Sequence, residues 1–277
     1  MFIYREWEFF CSQIQKLQIK SVTAYDALEL AKSKENYFII KHDVETNVNK
    51  ALKLALIEYK YGLSATYYVQ SYLIKNDENV KILKEISKLG HEVTYHYDVL
   101  DSNNGDFSLA EIEFNQTLIE FESLGMKVKT VCPHGNPVKK RFGWSSNKDF
   151  FRNKVINSKY SEIADIVINP EKFINNELIY ISDAGFGWKK ITDISNNDSS
   201  KSIDEDLKSL NSIINLIQDP SKTLILSAHP HRWGKYKIIA FFHKTIFFTL
   251  RTFVRILTKV AFFKKIISKF YYLAKKI

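Results

Sequence analysis

The stretch LGHEVTYHYD (89–98) carries two histidines five residues apart, His91 and His96. An odd spacing on a strand turns them to opposite faces, so both do not readily serve one ion. Other side chains with ligand or proton-transfer chemistry are Asp43 and Glu45 in KHDVE, His134 in CPHGNP, and His229 and His231 in SAHPHRW. Imidazole nitrogens and carboxylate oxygens suit a divalent cation such as zinc, and a hydrolytic centre keeps one position open for water. Asp43 and Glu45 are two residues apart and share a side in an extended segment. One can hold a metal while the other acts on the water.

These residues need elements to hold them. YFIIKHD (37–43) reads as a buried strand. TNVNKALKLALIEYKYG (46–62) has a helical period, with Thr46 or Asn47 as cap and Gly62 as stop. SATYYVQ (64–70), HEVTYHY (91–97) and KVKTVCPHG (127–135) read as further strands. Helices fall over 77–90 and over 108–125, the latter with Ser108 as cap and Glu111 at the capping-box position. LIYISDAG (178–185) and TLILSAHPH (223–231) read as strands with a helix over 202–219 between them; strands between 140 and 175 cannot be counted. This alternation predicts βαβ units and a largely parallel sheet. His42, Asp43, His96, His134, Asp183, His229 and His231 all fall at or just after the C-terminal ends of predicted strands. In a parallel barrel those ends converge on the face where active sites are built. His91 starts its strand instead and is expected to hydrogen-bond at the barrel bottom. His42 is a candidate for orienting a ligand carboxylate.

The 277 residues suffice for one large domain, or for a domain with an appendage. Cys11 and Cys132 do not suggest a disulfide scaffold, and a reducing compartment is the simpler expectation. The N-terminus carries Arg5, Glu6 and Glu8 and does not read as a signal peptide, which gives a cytoplasmic expectation. The net charge of +9 is uneven: from Lys235 onward there are 11 Lys or Arg and no acidic residue, leaving 29 basic against 31 acidic residues before it. The body is near neutral, so the basic whole-chain balance does not imply a nucleic-acid partner.

Five motifs in order resemble the polysaccharide deacetylase (NodB-like, carbohydrate esterase) superfamily. IIKHDVETNVNKALKLALIEYKYGLSATYYV is similar to its opening motif, helix and following strand. KLGHEVTYHYDVL resembles the metal-histidine segment, and VCPHG falls where the family has Arg-x-Pro-x-Gly. SDAGFGW and LILSAHP occupy the places of its Asp–Trp and Leu–His motifs. The chain looks closer still to a divergent subgroup with HDVD/E, GYHYE, HG-x-P and HP-x-RW motifs, linked to surface-polysaccharide synthesis. The likeness spans roughly residues 36 to 235.

The resemblance implies a deformed (β/α) barrel over 1–234, a divalent metal with zinc first in line, and removal of an N-acyl group, acetyl first, from an amino sugar during capsule or lipopolysaccharide synthesis. Carried onto this chain, it implies metal ligation by Asp43 and His96 and catalysis by Glu45 and His229, the two carboxylates being open to exchange. Asp183, Trp188, His231, Arg232 and Trp233 are expected to contact substrate, with sealing of the barrel rim as the alternative for the last three. The chain departs from the family pattern in three places. The paired aspartates are Asp43-Val44-Glu45, the second metal histidine is Leu100, and the arginine is Val131. His134 is the candidate for the third ligand. Two other readings are a non-catalytic member that binds carbohydrate or organises a complex at the membrane, and an amidohydrolase of a non-sugar amide.

Residues 235–277 interrupt aromatic and aliphatic residues with Lys or Arg every three to five positions, and no apolar run approaches the ~20 residues of a spanning helix. Such a basic amphipathic helical tail suits an anionic membrane surface. A peripheral place at the inner face of the cell membrane is expected, with a lipid-linked glycan as one form of the substrate.

Overall fold

The computed structural model describes residues 2–136, 139–196, 205–238, 240–242, 245, 246 and 249. The chain opens with helix α1 (Tyr4–Leu17), strand β1 (Lys20–Val22) and helix α2 (Ala24–Leu30). It continues through β2 (Tyr37–Val44), α3 (Val48–Lys60), β3 (Thr66–Val69), α4 (Asp77–Lys88), β4 (Glu92–Tyr97), α5 (Val99–Ser102), α6 (Phe107–Ser123) and β5 (Thr130–Pro133). Then come α7 (Asp149–Arg152), α8 (Lys154–Lys159), β6 (Ala164–Asp165), β7 (Glu177–Ser182), β8 (Trp188–Ile191), β9 (Glu205–Leu207), α9 (Leu210–Ile217) and β10 (Lys222–Ala228).

The strands form one sheet in the order β6-β5-β4-β3-β2-β10-β7-β8-β9, with β1 beside the first half of β2. Every pair is parallel except β7–β8 and β8–β9. Strand β2 lies between β3 and β10 and is buried throughout, as the near-continuous apolar run of a doubly covered strand requires. The sheet curls into a deformed (β/α) barrel, and side-chain hydrogen bonds link segments near its two ends. Lys148 Nζ donates to Ile194 O at 2.7 Å and Arg152 donates to Ser195 O, tying the β5–β6 connection to the segment after β8. The outward face of the sheet packs on α1, α3, α4, α6 and α9 in the main core. A smaller inner core of Tyr37, Ile39, Tyr68, Cys132, Phe173 and Ile225 fills the lower barrel, where Tyr37 OH donates to Phe173 O.

Local details follow side-chain chemistry. Asn47 caps α3 by accepting from Lys50 N–H. Helix α6 is capped by Asp106, which accepts from Ser108 and Leu109 N–H; the cap expected at Ser108 is displaced because Asp106 reaches both amides, and Glu111 pairs with Lys159 instead. Residues 205–207 form an edge strand against β8 rather than the start of a helix, since Ser209 supplies the cap of α9. Ile3 pairs with Gly234, so the start of α1 meets the end of the HPHRW loop. Beyond it, Tyr236, Ile238, Phe241, Phe242 and Ile246 are exposed. Most of the expected tail lies outside the described residues. Among those described, no helix is long and apolar enough to cross a membrane.

Candidate metal and catalytic centre

The parallel pairing sets the C-terminal ends of β2, β4, β5, β7 and β10 on one rim. Asp43 is the penultimate residue of β2 and Glu45 follows it, His96 is the penultimate residue of β4, His134 follows β5, Asp183 follows β7 and His229 follows β10. His96 pairs in register with Cys132, and His42 with Ala228. On this rim His134 Nε2 stands 3.2 Å from Glu45 Oε1, and the His96 and His134 rings meet edge to face at 5.3 Å. His229 Nε2 is 3.8 Å from Asp43 Oδ2 and 3.7 Å from Glu45 Oε1. His231 Nδ1 is 3.8 Å from Glu45 Oε2.

Among the described residues, two sets of side chains are close enough to share a cation: Glu45, His96 and His134, and Asp43, His96 and Cys132. Electrostatics separates them. Lys41, on the same face of β2, is buried with Nζ 2.7 and 2.9 Å from the two oxygens of Asp43 and 3.1 Å from Cys132 Sγ. Two unit charges 4 Å apart interact by about 4 kcal/mol at an effective dielectric of 20. A divalent ion beside that ammonium would meet roughly twice this repulsion. Burial also pushes the Cys132 thiol well above its ordinary range, away from the thiolate a metal needs. In the Glu45 set that ammonium bonds neither Glu45 nor His96, although its charge reaches His96. His96 Nδ1 lies 3.0 Å from Cys132 O, which fixes that nitrogen as the donor and leaves the buried, unpartnered Nε2 as an acceptor. Burial draws His96 down to about 4, outweighing the upward pull of Asp43. A neutral imidazole with a free buried lone pair, a second imidazole and a carboxylate make a donor set that fits zinc.

Two carboxylates are held ionised nearby. Burial alone would raise Asp43, but the Lys41 ammonium, then His96 and His229, hold it well below the usual carboxylate range. Burial likewise opposes Glu45, and the hydrogen bond and charge of His134 carry it well below its ordinary value. Asp183 is fully buried beneath His229. Its Oδ1 lies 2.6 Å from His229 Nδ1 and accepts from Arg232 Nη1 at 2.7 Å; its Oδ2 accepts the backbone N–H of His229 at 2.9 Å. Burial raises Asp183, while Arg232 and His229 together draw it below its ordinary range. This arrangement turns His229 Nε2 toward the rim. His231 is about a quarter exposed, and burial lowers it to about 4. Lys50 Nζ, from α3, donates to His231 O and pins the loop.

Asp43, Glu45, His96, His134, His229 and His231 therefore meet at one place. The expected substrate contacts divide. Asp183 commits its carboxylate to His229 and Arg232, an arrangement that orients His229. Arg232 bonds the same carboxylate and lies over the Phe186 ring at 5.6 Å. Trp233 is 0% exposed and packs between Phe2 and Trp7 at 5.3 and 5.1 Å. Trp188 is 8% exposed and sits edge-on to Phe2 at 5.3 Å. Large rings gain most by leaving water, and both rings pack against Phe2 beside the HPHRW loop. His42 points to the outer face, 2.7 Å from the buried Glu58, which also accepts from Trp7 and Tyr67. His91 lies beside the same glutamate and bonds Ala65 N–H and Ala55 O. Lys41 was missed by sequence reasoning, although the period-two pattern that pairs Asp43 with Glu45 places it on the same face.

No protein-family model and no curated protein matches the chain. Solved structures to which it is similar include a family 4 carbohydrate esterase of Streptomyces lividans in complex with acetate, at 14% identity and a TM-score of 0.42, covering 71% of this chain and 80% of that one. A CE4 esterase of Streptococcus mutans shares 13% identity at a TM-score of 0.45, covering 76% and 80%. A peptidoglycan deacetylase of Bacillus subtilis shares 14% at 0.39, covering 70% and 89%.

Proposed function

We propose that this chain is a metal-dependent hydrolase of the polysaccharide deacetylase type that removes an N-acyl group, acetyl first, from an amino sugar. The observation that carries the reading is the meeting of a zinc-type donor set, Glu45, His96 and His134, with two oriented proton-transfer groups, Asp43 and His229, on one rim. Glu45, His96 and His134 would hold the metal, which when bound polarises a carbonyl and makes water a better nucleophile. This exchanges the roles of the two carboxylates relative to the sequence expectation, because Lys41 occupies Asp43. Asp43, ionised and fixed, accepts the proton of the attacking water. His229, its Nδ1 held by Asp183, presents Nε2 to protonate the departing amine nitrogen. The acyl carbon gains the water oxygen and loses the C–N bond, giving a carboxylic acid and a free amine. His231, neutral and facing the same opening, is placed to bond substrate.

The reading includes surface-polysaccharide synthesis beside the inner face of the cell membrane, with a lipid-linked glycan as one form of substrate. Its support is the basic stretch from Lys235 without an acidic residue and the exposed Tyr236, Ile238, Phe241, Phe242 and Ile246 at its start. Each Lys or Arg close to anionic lipid contributes about 1 kcal/mol.

Zinc stoichiometry and release of acetate from N-acetylated oligosaccharides, measured on wild type and His96→Ala, test the enzyme. About one metal per chain, lost with activity in the variant, is the expected result. A metal-free wild type that still binds sugar overturns it in favour of a non-catalytic carbohydrate-binding protein. For the membrane, sedimentation with vesicles is expected with anionic lipid, to weaken with salt, and to fail with zwitterionic lipid alone.

A further inference from the structure

The short helix α5 follows the strand that carries His96. Leu100 within it is fully buried and supplies no ligand, but its neighbour Asp101 is 4% exposed and fully engaged. Asp101 Oδ1 accepts from Arg141 Nε at 2.8 Å and from Trp144 Nε1 at 3.0 Å. Its Oδ2 accepts from Arg141 Nη2 at 2.7 Å and from Asn147 Nδ2 at 3.0 Å. Asp101 N–H donates back to Asn147 Oδ1 at 2.9 Å. All three partners belong to the segment that leaves His134 after β5. Asn147, fully buried, donates to the His134 carbonyl at 2.9 Å. On the other side, His134 N–H donates to Tyr97 O at 2.7 Å.

The main chain of His134 is thus held at both its donor and its acceptor, one bond running to the His96 strand and the other to Asp101 through Asn147. A two-pronged guanidinium–carboxylate pair fixes direction as well as distance. Trp144 completes the seat. Its ring lies over Gly105, where φ is +85° and a Cβ would stand 2.3 Å from Trp144 Cε3, so only glycine leaves the ring its place.

We propose that Asp101, Arg141 and Asn147 form a positioning group that sets the His134 imidazole against Glu45 and His96, and so fixes the metal affinity of the centre. The inference rests on the metal-dependent reading above. None of the three touches the metal or the substrate. They act through the main chain of one ligand.

The test measures zinc dissociation constants of the full-length protein by competition with a chromogenic chelator, alongside melting of the metal-free protein. Asp101→Asn and Asn147→Ala are expected to weaken zinc binding about 10–100-fold, the scale for partners that orient a metal ligand. Asp149→Asn removes a charge in the same segment, on a carboxylate bonded to Ser145, Ser146 and Arg152. It is expected to shift melting while leaving zinc affinity within threefold. Should Asp101→Asn fail to fold, Asn147→Ala and Arg141→Gln carry the measurement. Unchanged zinc affinity in those variants beside a zinc-binding wild type overturns the positioning role alone. A wild type without zinc overturns the hydrolase reading and this inference with it.

Discussion

Lys41→Met removes one partner of a buried ion pair and leaves the other in place. The wild-type signs are clear. Asp43 is held below its ordinary pKa, so its contribution is present above the unfolded value of about 3.9 and is lost as pH falls through the lower folded value. Lys41 is pulled down by burial but carried well above its ordinary value by Asp43, so its contribution is lost only as pH rises through that raised value. The pair is therefore intact across the neutral range. In the variant, burial of Asp43 remains and its main countercharge is gone, so its pKa rises. Breaking a buried pair costs about 3–5 kcal/mol. That cost grows with pH by up to about 1.4 kcal/mol per unit between the unfolded pKa and the raised folded one, since the folded state then binds the extra proton. Chemical denaturation of the metal-free variant and wild type at pH 5, 6, 7 and 8 measures it. The gap between the two is expected to widen with pH, and hydrolysis at neutral pH to fall with it. A gap that stays flat, or lies below about 1 kcal/mol at pH 8, would refute the assignment of Asp43 as a carboxylate held by Lys41.

Asp183→Asn leaves His229 without its oriented partner and is expected to lower kcat by about 10²- to 10⁴-fold with little change in zinc content; steady-state rates with metal analysis check this. Stripping the metal with a chelator is expected to abolish hydrolysis, and zinc at 100 times its dissociation constant to restore about 2.7 kcal/mol of stability, visible as a rise in melting temperature. Trp233→Ala empties the space between Phe2 and Trp7 and is expected to cost about 3–5 kcal/mol. Folded variant assayed at low temperature should keep the wild-type KM, and a large rise in KM would return Trp233 to the substrate.

Strand–helix alternation and the placement of histidines and acids at strand ends are local features, and the sequence carries them directly. The run YFIIKHDV marks a doubly covered strand, and Asn47 marks the start of α3 from its own chemistry. The meeting of residues 43, 45, 96, 134 and 229 was legible as a consequence of parallel pairing, because parallel strands share one C-terminal rim. Which carboxylate takes which role was not legible. It turns on Lys41, whose ammonium reaches Asp43 and Cys132 only after β2 and β5 face each other across the barrel interior. The same holds for the aromatic side chains of the final motif. Type alone makes Trp188 and Trp233 fit for sugar, and only tertiary packing sets both rings against Phe2. Asp101 lies 33 residues before His134 and reaches it through Asn147. Periodicity speaks of neighbours along one element, while these contacts depend on how separate elements close on one another.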